Sequence, residues 1–140
     1  MTKLKLAKRV ASIVVYGHVL LFLYGLVVML VSGYDRQDTF QMILMGSPLL
    51  AMVALAAYRF MADLPPQDAS GPVDPAWSTM STTVTLAFLL ALFATYSMAM
   101  FNTSIQSSVL KFITGAIETA LGGYLGVNRD TLFPDNTKAS

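Results

Sequence analysis

The apolar positions of this chain run on residue after residue, broken only by short polar segments, with neither strand-like alternation nor a narrow coiled-coil seam. After Lys3, Lys5, Lys8 and Arg9 no charged residue occurs until Asp35, and this stretch predicts a helix over about residues 10–33. Apolar sequence of that length is what a bilayer-crossing helix requires. A secretory signal peptide shares the basic start, but its apolar region is shorter and ends at a small-residue cleavage site. The first helix is therefore expected to stay in place as an anchor.

A second helix is predicted over about residues 40–60, with Gly46, Ser47 and Pro48 inside it. Proline removes a backbone donor and clashes with the preceding turn, so a kink is expected there. In a membrane helix neighbouring groups can satisfy what the proline frees. Residues 63–78 combine Pro65, Pro66, Gly71, Pro72 and Pro75 with Asp63, Asp68 and Asp74 and read as a solvated loop. Trp77 closes this loop, where an indole fixes the depth of the next helix at the headgroup level. A third helix is predicted over residues 79–101 and a fourth over 106–127, separated by Asn102, Thr103 and Ser104. Residues 128–140 form a polar tail containing Pro134, expected to fray.

The fourth segment differs from the other three. Ser108, Lys111, Gly115, Glu118, Gly122 and Gly126 follow one another at steps of three or four, with Thr119 beside them, so the charged and smallest side chains share one stripe of a helix. Leu110, Ile113, Ile117, Ala120, Leu121 and Tyr124 fall mostly on the other side.

Composition strengthens the membrane reading. Apolar residues make up 55% of the chain and charged residues 12%, against roughly 25% charge in a soluble domain. The fold class expected is an all-α integral membrane protein, a single domain built as a bundle of four transmembrane helices. The alternative is three spans plus one interfacial amphipathic helix, because Lys111 and Glu118 make the last segment the least apolar. With four crossings and the N-terminus inside, Lys3, Lys5, Lys8, Arg9, Arg59, Arg129 and Lys138 lie inside and only Arg36 outside. This asymmetry predicts a multi-pass protein of the inner (plasma) membrane with both termini cytoplasmic.

Charge then narrows the chemistry. A net charge of +1 with scattered basic residues gives no surface for nucleic acid. Cysteine is absent, and no catalytic triad, paired carboxylates, phosphate loop or HExxH pattern occurs. Neither an enzyme nor a bound metal or cofactor is expected. Lys111 and Glu118 stand two turns apart, about 10 Å along a helix axis, too far for an i to i+4 ion pair. Lys111 is near enough to a helix end to snorkel. Glu118 is near the middle, where a carboxylate costs a few kcal/mol unless paired, hydrated or protonated. Ser108, Lys111, Glu118 and Thr119 are the candidate polar or pore-facing residues, and Gly115, Gly122 and Gly126 the candidate helix-packing residues. Gly122 and Gly126 have the spacing that lets two helix backbones approach closely. His18, the single histidine, is expected to hydrogen-bond between helices within the membrane.

The ending Gly122-Gly123-Tyr124-Leu125-Gly126-Val127-Asn128-Arg129 resembles the final helix of several phage holins, in which a glycine- and aromatic-rich stretch ends at a glycine and then a basic residue on the cytoplasmic side. The likeness covers about twenty residues, and the short chain with a basic N-terminus is also similar. The resemblance implies a small protein that oligomerises in the lipid bilayer and forms or controls a permeation path. A non-catalytic accessory subunit packed against a larger membrane complex is the other expectation.

Overall fold

The computed structural model describes residues 2–32, 35–46, 48, 51, 52, 55, 71–102 and 104–128. Within these, α1 covers Lys3–Val31, α2 Arg36–Leu44, α3 Pro75–Phe101 and α4 Ser107–Val127, and no strand is present among the described residues.

The helix α1 begins earlier than the apolar run. Lys, Leu and Ala are strong helix formers, and Thr2 caps the first turn by accepting from the Lys5 amide at 3.4 Å. The basic residues Lys3 to Arg9 therefore form about the first two turns of the same helix. Asp35 caps α2 by accepting from the Gln37 amide at 2.7 Å. In α3, Asp74 accepts from the Ala76 amide at 2.9 Å and Pro75 takes the first helical position, where its missing N–H costs nothing. This start takes in Trp77 and Ser78, so the loop read over residues 63–78 gives way to helix from Pro75 onward. Residues 63–70 and 129–140, and about half of the second predicted helix, lie outside the described residues. The described part of α2 stops at Leu44, with a turn at Met45 and Gly46 beside the predicted kink.

Contacts along the helices fix their directions. The Lys3 amide donates to the Gly71 carbonyl at 3.1 Å, Gly17 faces Leu89, and Tyr24 reaches Ser97 at 3.0 Å, so α1 and α3 run parallel. Asp38 reaches Lys111 and Gly46 faces Glu118, so α2 and α4 also run in a common direction. Leu121 and Leu125 of α4 pack with Leu6, Ala7, Val10 and Val14 at the start of α1, whereas Leu110 joins the cluster around Val28 at its other end. Hence α4 is antiparallel to α1 and extends over the length of the bundle.

Close approach of α1 to its neighbours depends on two glycines. A Cβ at Gly17 would sit 2.5 Å from the Leu89 side chain, and one at Gly25 would sit 2.7 Å from Ile43. Two buried threonines of α3 satisfy their hydroxyls within the helix: Thr85 donates to the Ser81 carbonyl at 2.8 Å and Thr95 to Ala91 at 2.9 Å. Tyr24 stacks on Phe93 at 4.8 Å between ring centres. The Ser97 hydroxyl donates to the Phe93 carbonyl, and the single Tyr24 hydroxyl hydrogen has two acceptors within reach, Ser97 Oγ at 3.0 Å and Met100 Sδ at 3.7 Å.

Among the described residues two helices, α1 and α3, are long and apolar enough to cross a membrane. Only 28% and 33% of their apolar stretches are buried within the chain, whereas the central helix of a soluble protein would be mostly covered. Leu20, Leu23, Leu30, Leu90, Phe93 and Phe101 all point outward. An outward surface of this composition matches a hydrocarbon environment.

Candidate functional site

The site is built where the middles of α1 and α4 meet the end of α2. His18 of α1 lies about 20 Å along the axis from either end of its helix, and Glu118 of α4 about 14–16 Å from either end of its own. They come together across the bundle: His18 Nε2 is 3.4 Å from Glu118 Oε2, with the two side chains 5% and 7% exposed. A buried carboxyl and a buried imidazole each carry a large desolvation penalty, and each is the partner the other needs.

The rest of the imidazole is fixed by α1 itself. His18 Nδ1 is 2.8 Å from the Val14 carbonyl. A carbonyl oxygen only accepts, so Nδ1 carries a hydrogen and donates it. Nε2 is thereby the nitrogen left for Glu118.

Glu118 is placed by a glycine. A Cβ on Gly46 would stand 2.7 Å from Glu118 Oε1 and 3.5 Å from the His18 ring, so the carboxyl occupies space that any other residue at position 46 would fill. Beside the pair is a cavity of about 40 Å³, lined by His18, Glu118, Gly46 and Tyr96 together with Leu21, Phe22 and Ile43. The Tyr96 hydroxyl donates across to the Met42 carbonyl at 3.4 Å, near the end of α2. A cavity of this size with polar groups on its wall accommodates at least one water molecule.

A second polar cluster ties α2 to α4 at the end of the bundle. Lys111 Nζ donates to Asp38 Oδ1 at 2.7 Å and to Gln41 Oε1 at 3.1 Å, and Ser107 Oγ donates to Asp38 Oδ2 at 2.6 Å. Hydrogen bonds first from Lys111 and then from Ser107 hold the Asp38 carboxyl below the usual carboxylate range. Asp38 belongs to the hydrophilic turn before the second apolar run, outside the segment expected to be in the membrane.

The structure thus divides the stripe read from the sequence. Lys111 and Glu118 turn inward to different partners, while Ser108, Thr119 and Gly126 are exposed and Gly115 and Gly122 are partly covered. The face of α4 that is buried carries Leu110, Thr114, Glu118, Leu121 and Leu125. Nothing lies within 4 Å of a Cβ added at Gly123 or Gly126, and only Met45 comes within that distance of one at Gly115. An open groove over Gly115, Ala116, Thr119 and Ala120, bordered by Phe112, runs along this uncovered side.

Gly46, Tyr96 and the Asp38, Gln41 and Ser107 cluster were not singled out by sequence reasoning. Asp38 carried a readable signal, as an acid in the turn nearest the start of α4. Gly46 stood out only as part of a kink, and nothing in the run around Tyr96 distinguished it from a packing aromatic. Among the described residues no three His, Cys, Asp or Glu side chains gather as metal ligands would.

Among the described residues, fold and site together define an all-helical architecture with two helices of membrane-crossing length and an imidazole-carboxyl pair buried between helices. No protein-family model, curated protein or solved structure matches the chain.

Proposed function

We propose that the protein is a four-span bundle of the inner membrane, with both termini cytoplasmic, that forms or controls a permeation path as an assembly of copies. The observation that carries this reading is the ionisable pair His18 and Glu118, buried at the middle of two helices beside a cavity. An intramembrane carboxyl is expensive to keep, and such residues mark ion and water pathways. The fourth crossing is supported by the course of α4, which extends from the Asp38 clasp at one end of the bundle to Leu6 and Leu125 at the other. An interfacial helix would lie across the end of α1 and α3 instead.

The most specific form of this reading is a holin-like lysis protein. The uncovered small-residue side of α4 supplies a surface on which copies can associate, since small side chains let helix backbones come close without a hydrophobic driving force. The same surface favours a second reading, an accessory subunit that packs against a larger membrane complex, because the ionisable pair is closed inside one chain.

Expression of the chain alone in bacteria separates the two. Abrupt, timed loss of membrane integrity is the outcome expected of a permeation protein of the holin kind. Harmless accumulation, or degradation without leakage, would leave the accessory-subunit reading.

A further inference from the structure

We propose that His18 and Glu118 together form a proton-binding site that holds a single shared proton in the middle of the bundle, with water in the adjoining cavity. The inference rests on the membrane-spanning reading for its setting, but its chemistry follows from the geometry of the pair.

Because Nδ1 donates to the Val14 carbonyl at 2.8 Å, its hydrogen is committed, and the proton between Nε2 and Oε2 is the only one free to move. With that proton present the pair is either imidazole with carboxylic acid or imidazolium with carboxylate. The two forms have the same atoms and the same net charge of zero, and they interconvert by transfer across a 3.4 Å gap, directly or through a cavity water. Removal of the proton leaves the Nε2 lone pair facing a carboxylate, a net negative charge. Addition of a second proton leaves imidazolium facing a carboxylic acid, a net positive charge. Either change strands a buried charge without a partner, which is far costlier than the paired state.

Among the described residues no other charge intervenes. The group facing the pair from α3 is the Tyr96 hydroxyl, engaged with the Met42 carbonyl, and the residues against the cavity from α2 and the turn after it are Ile43 and Gly46, which do not titrate. The nearest ion pair, Asp38 with Lys111, stands two turns further along α4, about 10 Å away by helix rise.

The chain lends itself to a direct test, since His18 is its only histidine and Glu118 its only glutamate. Protein labelled with 15N-histidine and 13Cδ-glutamate, reconstituted in lipid, gives one signal set from each side chain in solid-state NMR. A dipolar coupling between His18 Nε2 and the Glu118 carboxyl is expected, together with a protonated Nδ1. The Nε2 resonance should be displaced toward the protonated position relative to that in Glu118→Gln, whose amide can hydrogen-bond to Nε2 but has no proton to share with it. A missing coupling in the wild-type protein would overturn the site even if the variant fails to fold. An Nε2 resonance that matches that of Glu118→Gln throughout about pH 5–8, the range in which a free histidine titrates, would overturn the shared proton. These readouts need no gradient or leakage, so failure of the permeation reading leaves them standing.

Discussion

Glu118 stands out in the sequence as a lone carboxylate in an apolar helix, and the physical cost that made it conspicuous is the reason the structure gives it a partner. That partner was not legible, because His18 lies 100 residues away and nothing local to either residue encodes the meeting. Gly46 carries a consequence of the same arrangement. A methyl group at this position would sit 2.7 Å from Glu118 Oε1, so Gly46→Ala must push the carboxyl away from its seat. The expected cost is that of overpacking, about 1–3 kcal/mol, with loss of the coupling between His18 and Glu118. Gly126→Ala, where the added atom meets nothing within 4 Å, should leave both unchanged. Thermal unfolding of the two variants in detergent checks the difference, and equal destabilisation would mean that Gly46 is not holding space for Glu118.

At the scale of elements, the existence of α1 and α3 followed directly from uncharged runs of membrane-crossing length and that of α4 from an apolar run interrupted by Lys111 and Glu118, and the Asp74-Pro75 start of α3 moved only the boundary. The orientation of α4 was harder to read. At 100° per residue, Lys111 and Glu118 fall on the border between the small stripe and the apolar one, so either side could have faced the bundle. Pairing with α2 and α1 decides it, and the small stripe is left outside. Leu121, fully buried against the start of α1, should therefore cost about 2–5 kcal/mol as Leu121→Ala. By contrast, Gly126→Leu should leave folding intact and weaken crosslinking between copies more than does Leu90→Ala, at an exposed position of α3 away from this face. The clasp between α2 and α4 carries a pH dependence of definite sign. The Asp38 carboxyl titrates lower in the folded protein than in the unfolded chain, where its value is about 3.9, because Lys111 and Ser107 stabilise the charged form. Its contribution is fully present above that unfolded value and is lost as the pH falls through the lower folded one. A melting profile recorded from neutral pH down into this acidic range should fall more steeply for the wild type than for Asp38→Asn, and parallel profiles would show that the clasp contributes nothing.

At the scale of the whole molecule, the antiparallel relation of α4 to α1 puts Thr2 and Asn128 at the same end of the bundle, with the Asp35 and Asn102 ends of the connections at the other. Basic residues follow that division: Lys3, Lys5, Lys8 and Arg9 belong to the first end, and Arg36 to the second. Charge asymmetry and helix direction are independent of each other, one set by insertion and one by packing; the first marks the end that holds Lys3 to Arg9, and the second brings Asn128 to that same end. In the cell that side is expected to be the cytoplasm, since basic residues resist translocation. The absence of native cysteine makes this directly measurable. Single cysteines at Thr2, Asp68 and Thr137 should resist an impermeant thiol reagent in intact cells and react once the membrane is opened, whereas one at Gln37 should react from outside. Protection at Thr2 with labelling at Thr137 would mean that α4 does not cross, and would return the last helix to the interface. Labelling at Thr2 and Thr137 with protection at Gln37 would keep the bundle and invert it.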